Sequence, residues 1–147
     1  MSDHRPPRYL KPMNRLVKAI AKLGIPAGPS QILTVPGRKS GKLRSTPMTP
    51  FEHDGGLYTV AGYPGADWAA NARAAGVGTL TRGRRSRRVR IVELSPADAA
   101  PVLRSFAVEV PVGVGFAKRS GLVREGTPDE FEALAGELAV FRFDPAG

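Results

Sequence analysis

The chain has 147 residues, 41% hydrophobic and 24% charged, which suits one globular domain. Its apolar runs stay well short of the ~20 residues of a membrane-spanning helix, so an integral helical membrane protein is excluded. Against 13 Asp and Glu stand 22 Lys and Arg, and the resulting +9 charge calls for a polyanionic partner: nucleic acid, an anionic membrane surface or a multiply charged small molecule. The sequence lacks cysteine, and Met-Ser-Asp-His-Arg-Pro-Pro-Arg at its start has neither the apolar core nor the cleavage site of a secretory signal, so a cytoplasmic location is expected.

Residues 1–147 read as a single domain, with 1–12 as a flexible N-terminal tail. From Met13 to Leu23, Leu16, Val17, Ile20 and Leu23 recur at helical spacing, Lys18 and Lys22 fall off that face, and Gly24 and Pro26 stop the helix. A short basic amphipathic helix of this kind packs over a core or lies on an anionic membrane, which leaves a peripheral membrane contact open. From Gln31 onward, short β-rich runs alternate with Gly, Pro and Asp clusters, the pattern of an antiparallel sheet or barrel. Ile32 to Val35 is a first strand. Lys42 to His53 is a second, marked as an edge or bulged strand by Pro47 and Pro50. Asp54-Gly55-Gly56 closes a hairpin into Leu57 to Ala61, and Val77 to Thr81 pairs with Arg87 to Leu94 around a Gly-Arg-Arg-Ser turn, so the sheet is expected to be mostly a meander.

Between these hairpins Asp67 to Ala75 predicts a helix, with Asp67 as N-cap and Gly76 as the C′ residue. Trp68, the sole tryptophan, and Asn71 stand at i and i+3 and share a face of it. Ser95-Pro96-Ala97-Asp98 starts a helix running to about Phe106, in which Pro101 predicts a kink or early break. Val108 to Val123, with Pro111 and glycines at 113, 115 and 121, reads as a long loop with room for one strand. Thr127-Pro128-Asp129-Glu130 opens a last short helix, and Leu138 to Phe143 is the final strand.

Leu33 to Arg44 carries the chemistry: a strand, a tight turn at Gly37 and Gly41, the Ser40 hydroxyl, and the cations Arg38, Lys39, Lys42 and Arg44. Bare N–H groups around the glycines, a hydroxyl and clustered charge are what a phosphate or carboxylate requires, so the stretch reads as an anion cradle. A Walker P-loop is ruled out, since Pro47 and Pro50 forbid the following helix. His4 and His53 lie far apart without carboxylate spacing for a metal, and Gly-Arg-Lys-Ser-Gly is not a nucleophile elbow, which argues against a hydrolase. The densest cationic run, Arg82, Arg84, Arg85, Arg87, Arg88 and Arg90, is a candidate nucleic-acid surface but lacks interleaved aromatics; a solvated turn is the plainer reading.

Read together, Leu-Thr-Val-Pro-Gly-Arg-Lys-Ser-Gly-Lys-Leu-Arg-Ser-Thr-Pro, Asp-Gly-Gly-Leu-Tyr-Thr-Val-Ala-Gly and Asp-Trp-Ala-Ala-Asn-Ala-Arg-Ala-Ala-Gly resemble the deazaflavin-dependent nitroreductase family of actinobacteria, over roughly Ile32 to Leu94. The resemblance implies an α+β, mainly β fold: a split β-barrel like that of flavin reductases, with an N-terminal helix and short peripheral helices. It implies coenzyme F420, a deazaflavin with a phosphate and an oligoglutamate tail, as hydride donor to a small electron-poor acceptor such as a nitro compound, quinone or enone. FMN in the same barrel, or a basic nucleic-acid-binding module, are the alternatives. The family's cofactor turn falls on Arg38, Lys39, Ser40 and Gly41, with Arg44 and Pro47 on the outgoing strand; Ala61, Gly62 and Tyr63 then border the ring, with Trp68 and Asn71 from the helix. The reaction belongs to the cofactor, so no protein nucleophile is implied. Nitroreductases of the family carry several C-terminal tyrosines beside the acceptor, whereas this chain has only Tyr9, Tyr58 and Tyr63, with Phe106 and Phe116 near those places.

Overall fold

Alternating inward and outward residues build seven strands, β1 Gln31–Pro36, β2 Leu43–Met48, β3 Phe51–His53, β4 Gly56–Val60, β5 Val77–Arg82, β6 Arg85–Glu93 and β7 Val140–Pro145. Four helices accompany them among the described residues: α1 Asp67–Ala75, α2 Pro96–Glu109, α3 Pro111–Arg119 and α4 Pro128–Glu132. The computed structural model describes residues 30–146. The tail 1–12 and the basic helix expected at Met13–Leu23 lie outside the described residues.

The strands form one antiparallel sheet in the order β2-β1-β5-β6-β7-β4-β3. Its two edge strands, β2 and β3, are consecutive in the chain, separated only by Thr49 and Pro50. Three peptide steps reach at most ~11 Å, whereas a flat sheet of this width would hold its edges ~29 Å apart. The sheet must therefore curl until its edges meet, and the result is the expected split barrel.

Two expectations about this sheet are corrected. The run Lys42–His53 is not one strand, because Pro50 has no N–H to continue a ladder and its fixed φ turns the chain from one edge to the other. Pro47 does sit in an edge strand, opposite Ile32. Nor is the sheet a meander: three hairpins (β1–β2, β3–β4 and β5–β6) are joined by β1 to β5 and by β7, which inserts between β4 and β6. The hairpin at Gly83 is tighter than expected, two residues between β5 and β6, with Gly83 at φ 59°.

β7 is buried on both faces at its start, where it divides the interior, and Arg142 and Asp144 further along are partly exposed. Val140 joins Val102, Leu103, Phe106 and Phe131 in a helical core, while Phe141 and Phe143 join Leu33, Val35, Leu80, Val89 and Ile91 inside the barrel. α1 closes the barrel end through Ala69 and Ala72, side chains small enough to bring the helix close, and Arg73 clamps it to Glu93 of β6 with bonds of 2.7 and 2.6 Å. Gly76 ends α1 at φ 71°, as expected, but the N-cap is Ala66, and Asp67 stands at the first helical position.

Two further expectations fail in the helical layer. Pro101 does not end α2, because it and Ala97, whose carbonyl loses its partner, both lie on the exposed face where water replaces the bond. The stretch read as a loop after Val108 holds α3, started by Pro111 at its first turn. Gly113, which argued for a loop, is instead a contact residue: a Cβ there would overlap the Phe106 ring end. Gly113→Ala is accordingly expected to destabilise the fold by about 1–3 kcal/mol in urea unfolding, the overpacking outweighing the gain in helix propensity.

α4 opens on a capping box, Thr127 accepting from the Glu130 N–H and Glu130 reaching back to the Thr127 N–H. The Glu130 carboxylate also accepts from the N–H groups of Arg124, Glu125 and Gly126, at 2.6, 3.0 and 2.8 Å. The Arg124 bond leads these in holding the carboxyl down, from 4.5 to about 2. Since the folded value is the lower one, this stabilisation is complete above pH 4.5 and is lost as pH falls toward 2. Urea midpoints followed across that range should fall for the wild type, and Glu130→Gln should remove this part of the slope.

Candidate functional site

The turn between β1 and β2 is closed by its own backbone. Gly37 N–H donates to the Lys42 carbonyl at 2.7 Å, Gly41 N–H to the Gly37 carbonyl at 2.9 Å, and Lys42 N–H to Ser40 Oγ at 3.2 Å. Gly41 takes φ 72°, which its lack of a Cβ makes inexpensive. The donors of the two glycines are therefore spent inside the turn. The Lys39 and Ser40 N–H groups make no hydrogen bond among the described residues, and beside them the Ser40 hydroxyl and the side chains of Lys39 and Arg44 are exposed.

α1 holds this turn in place. Asn71, 8% exposed, accepts at Oδ1 from both the Arg38 backbone N–H (3.1 Å) and its guanidinium (2.8 Å). The same guanidinium reaches the Asp67 carbonyl and carboxylate, each at 3.4 Å. Arg38 is thus a latch between the turn and α1. Lys39, Lys42 and Arg44, by contrast, have no carboxylate partner among the described residues.

Beside the latch lies a cleft of ≈ 650 Å³ lined by Arg38, Lys39, Ser40, Arg44, Trp68 and Asn71. Trp68 is also a wall of a second, apolar cavity of ≈ 230 Å³, bounded by Pro47, Met48, Ala61, Gly62, Phe106 and Phe116. The indole packs on Phe141 with ring centroids 5.6 Å apart, which fixes it at the junction. Ala61 is anchored by its N–H to the Ala139 carbonyl at 2.9 Å, and Gly62 lets Phe116 approach, since a Cβ would meet that ring at 3.3 Å.

The expected residues thus gather into one cationic and one apolar compartment that share Trp68. Gly41 shapes the turn without lining the cleft. Tyr63, 52% exposed, lines a different hollow with Ala70, Arg73 and Glu93. Phe106 and Phe116 do line the apolar cavity, but Met48, Thr49 and Val112 were missed. Pro111 at a helix start and the i, i+4 pair Val112 and Phe116 were the signal for the last of these. Among the described residues no cluster of His, Asp or Glu could hold a metal.

A curled split barrel with a cationic cleft and an apolar cavity on a shared tryptophan wall has the makings of a site for an elongated, partly anionic organic ligand. Solved structures agree on the fold: a domain-swapped dimer (19% identity, 91% of this chain and 98% of that one, TM-score 0.58) and an F420-H2 dependent reductase, FDR-A (18%, 82% and 97%, 0.56). A FAD-binding protein of Mesorhizobium loti is a more distant likeness (14%, 94% and 90%, 0.50). None of the curated proteins matches the sequence. The profile of the F420H(2)-dependent quinone reductase family matches residues 11–121, most of the chain. The chain belongs to that family and is an F420-dependent oxidoreductase acting on a small-molecule acceptor.

Asn71→Ala is expected to cost about 1–3 kcal/mol in urea unfolding, because the Arg38 N–H and guanidinium lose their common acceptor. Asn71→Asp keeps an acceptor there and should retain most of the stability.

Proposed function

We propose that the two compartments divide the coenzyme between them, with the phosphate and oligoglutamate tail at Lys39, Ser40 and Arg44, and the ring system turned toward Trp68, Ala61 and Gly62. The observation that carries this is Trp68 as a wall shared by the cationic cleft and the apolar cavity. The residues fit such a group: Lys39 and Arg44, without carboxylate partners among the described residues, face the cleft, and the cavity walls are almost wholly apolar. Arg38 and Asn71 act one step back, setting the turn against α1 so that Lys39 and Arg44 are presented without a conformational search.

The bound coenzyme supplies the hydride; the protein supplies position and exclusion of water. Phe106, Val112 and Phe116 wall the place where an acceptor would stand against the ring. The side-chain hydroxyls lining that cavity are those of Thr49 and Thr59. With no tyrosine there among the described residues, stabilisation of a strongly developing anion by them is weak, which favours quinones and other conjugated carbonyl compounds over nitro compounds.

Trp68 is the sole tryptophan, so its emission reports the junction directly. Titration with F420 should change that emission saturably, and Lys39→Ala and Arg44→Ala should each weaken affinity about tenfold, with a shallower dependence on salt. Unchanged affinity in both variants would remove the turn from the site. Steady-state rates with a benzoquinone should exceed those with a nitroaromatic of similar potential.

A further inference from the structure

The cationic run around the β5–β6 hairpin is split by the strand period into two faces. Leu80 of β5 is an inside residue, 1% exposed, paired with Leu33 on one side and with Arg87 on the other. Arg87 therefore shares the barrel-interior face, and so do Arg82 and Arg85, a pair two residues further along each strand. Arg88 and Arg90 fall on the outer face. The three guanidinium groups are exposed at the rim of the barrel's concave side, and none has a carboxylate partner among the described residues.

These arginines surround a hollow of ≈ 860 Å³, whose floor is the apolar set Phe51, Leu57 and Leu80. The ladder between β6 and β7 covers only Val89 to Glu93, so the strand segment carrying Arg85 and Arg87 has no ladder neighbour on that side among the described residues. Glu52 is the lone carboxylate lining it. The hollow shares no residue with the coenzyme cleft or the apolar cavity.

We infer that this barrel mouth is a second ligand site, for a single-chain amphiphile with a carboxylate head of the fatty-acid class. The head would be gripped by Arg85 and Arg87 through charge-assisted, fork-shaped hydrogen bonds, and the chain would lie along the half-buried Leu57 and the aliphatic stems of the arginines, over a floor closed by Phe51 and Leu80. Concavity and an apolar floor favour this occupant over nucleic acid, whose backbone needs an extended cationic surface and whose bases need aromatic platforms.

Calorimetric titration of the full chain with laurate, below its micelle concentration, is the test. Saturable one-to-one binding is expected, with butyrate and dodecanol each at least about tenfold weaker. Arg85→Glu combined with Arg87→Glu should weaken laurate about tenfold or more while F420 affinity stays unchanged, so that this site fails or stands apart from the coenzyme site. Both side chains are exposed, so the variant is expected to fold, and circular dichroism checks this. Laurate binding untouched by the double reversal would overturn the proposal. Equal binding of butyrate and laurate would reduce the mouth to a bare charge patch, and duplex DNA bound at physiological salt in the absence of laurate binding would make it a nucleic-acid surface; either result overturns it.

Discussion

The Thr49-Pro50 link joins the two outer strands of the sheet and leaves them no freedom to lie apart. Curvature follows from that covalent constraint, and the rest follows from curvature. A curled sheet has an inside that Leu33, Leu80, Val89, Phe141 and Phe143 can fill, and an end that an alanine-rich helix can close. It also brings the outgoing arm of the β1–β2 turn alongside α1. The cationic cleft and the apolar cavity open there, on either side of one indole.

Recognition of an anion is then achieved less by the backbone than by the arrangement of side chains. The Gly37, Gly41 and Lys42 N–H groups are consumed in closing the turn, and the one at Arg38 is consumed in fastening it to Asn71. Arg38 gives up part of its electrostatic reach to Asp67 to make the same attachment. Lys39 and Arg44 keep theirs. A cluster of cations that looks uniform along the chain thus separates into a structural member and binding members, according to which carboxylates and amides the neighbouring helix brings within reach.

Net charge divides in a similar way. Part of the excess serves the coenzyme cleft, and the run from Arg82 to Arg90 is sorted by strand period into an outer set and an inner set at the barrel mouth. The run in one dimension resembles a solvated turn; the register, set by Leu80 facing both Leu33 and Arg87, is what turns half of it inward.

Local chemistry was legible in the residues alone. The strand pattern from Gln31 onward, the capping of α2 and α4, the glycine after α1 and the cation-rich turn all rest on short-range preferences of φ, hydrogen bonding and charge. Those do not depend on distant neighbours. Three ordered motifs added the family and the coenzyme. The misreadings share a different cause: Pro101 was harmless because its side of the helix faces water, Gly113 belonged to a helix because Phe106 fills its missing Cβ, and Pro50 separated two strands because they belong to opposite edges. In each case the residue's meaning lay in what stood against it. The same holds for Tyr63, set apart from the cleft, and for Asn71, which shares a helical face with Trp68 but spends its oxygen on Arg38. Residue type could specify that an anion was to be bound; only packing between elements far apart in the chain decided which cations were free to bind it.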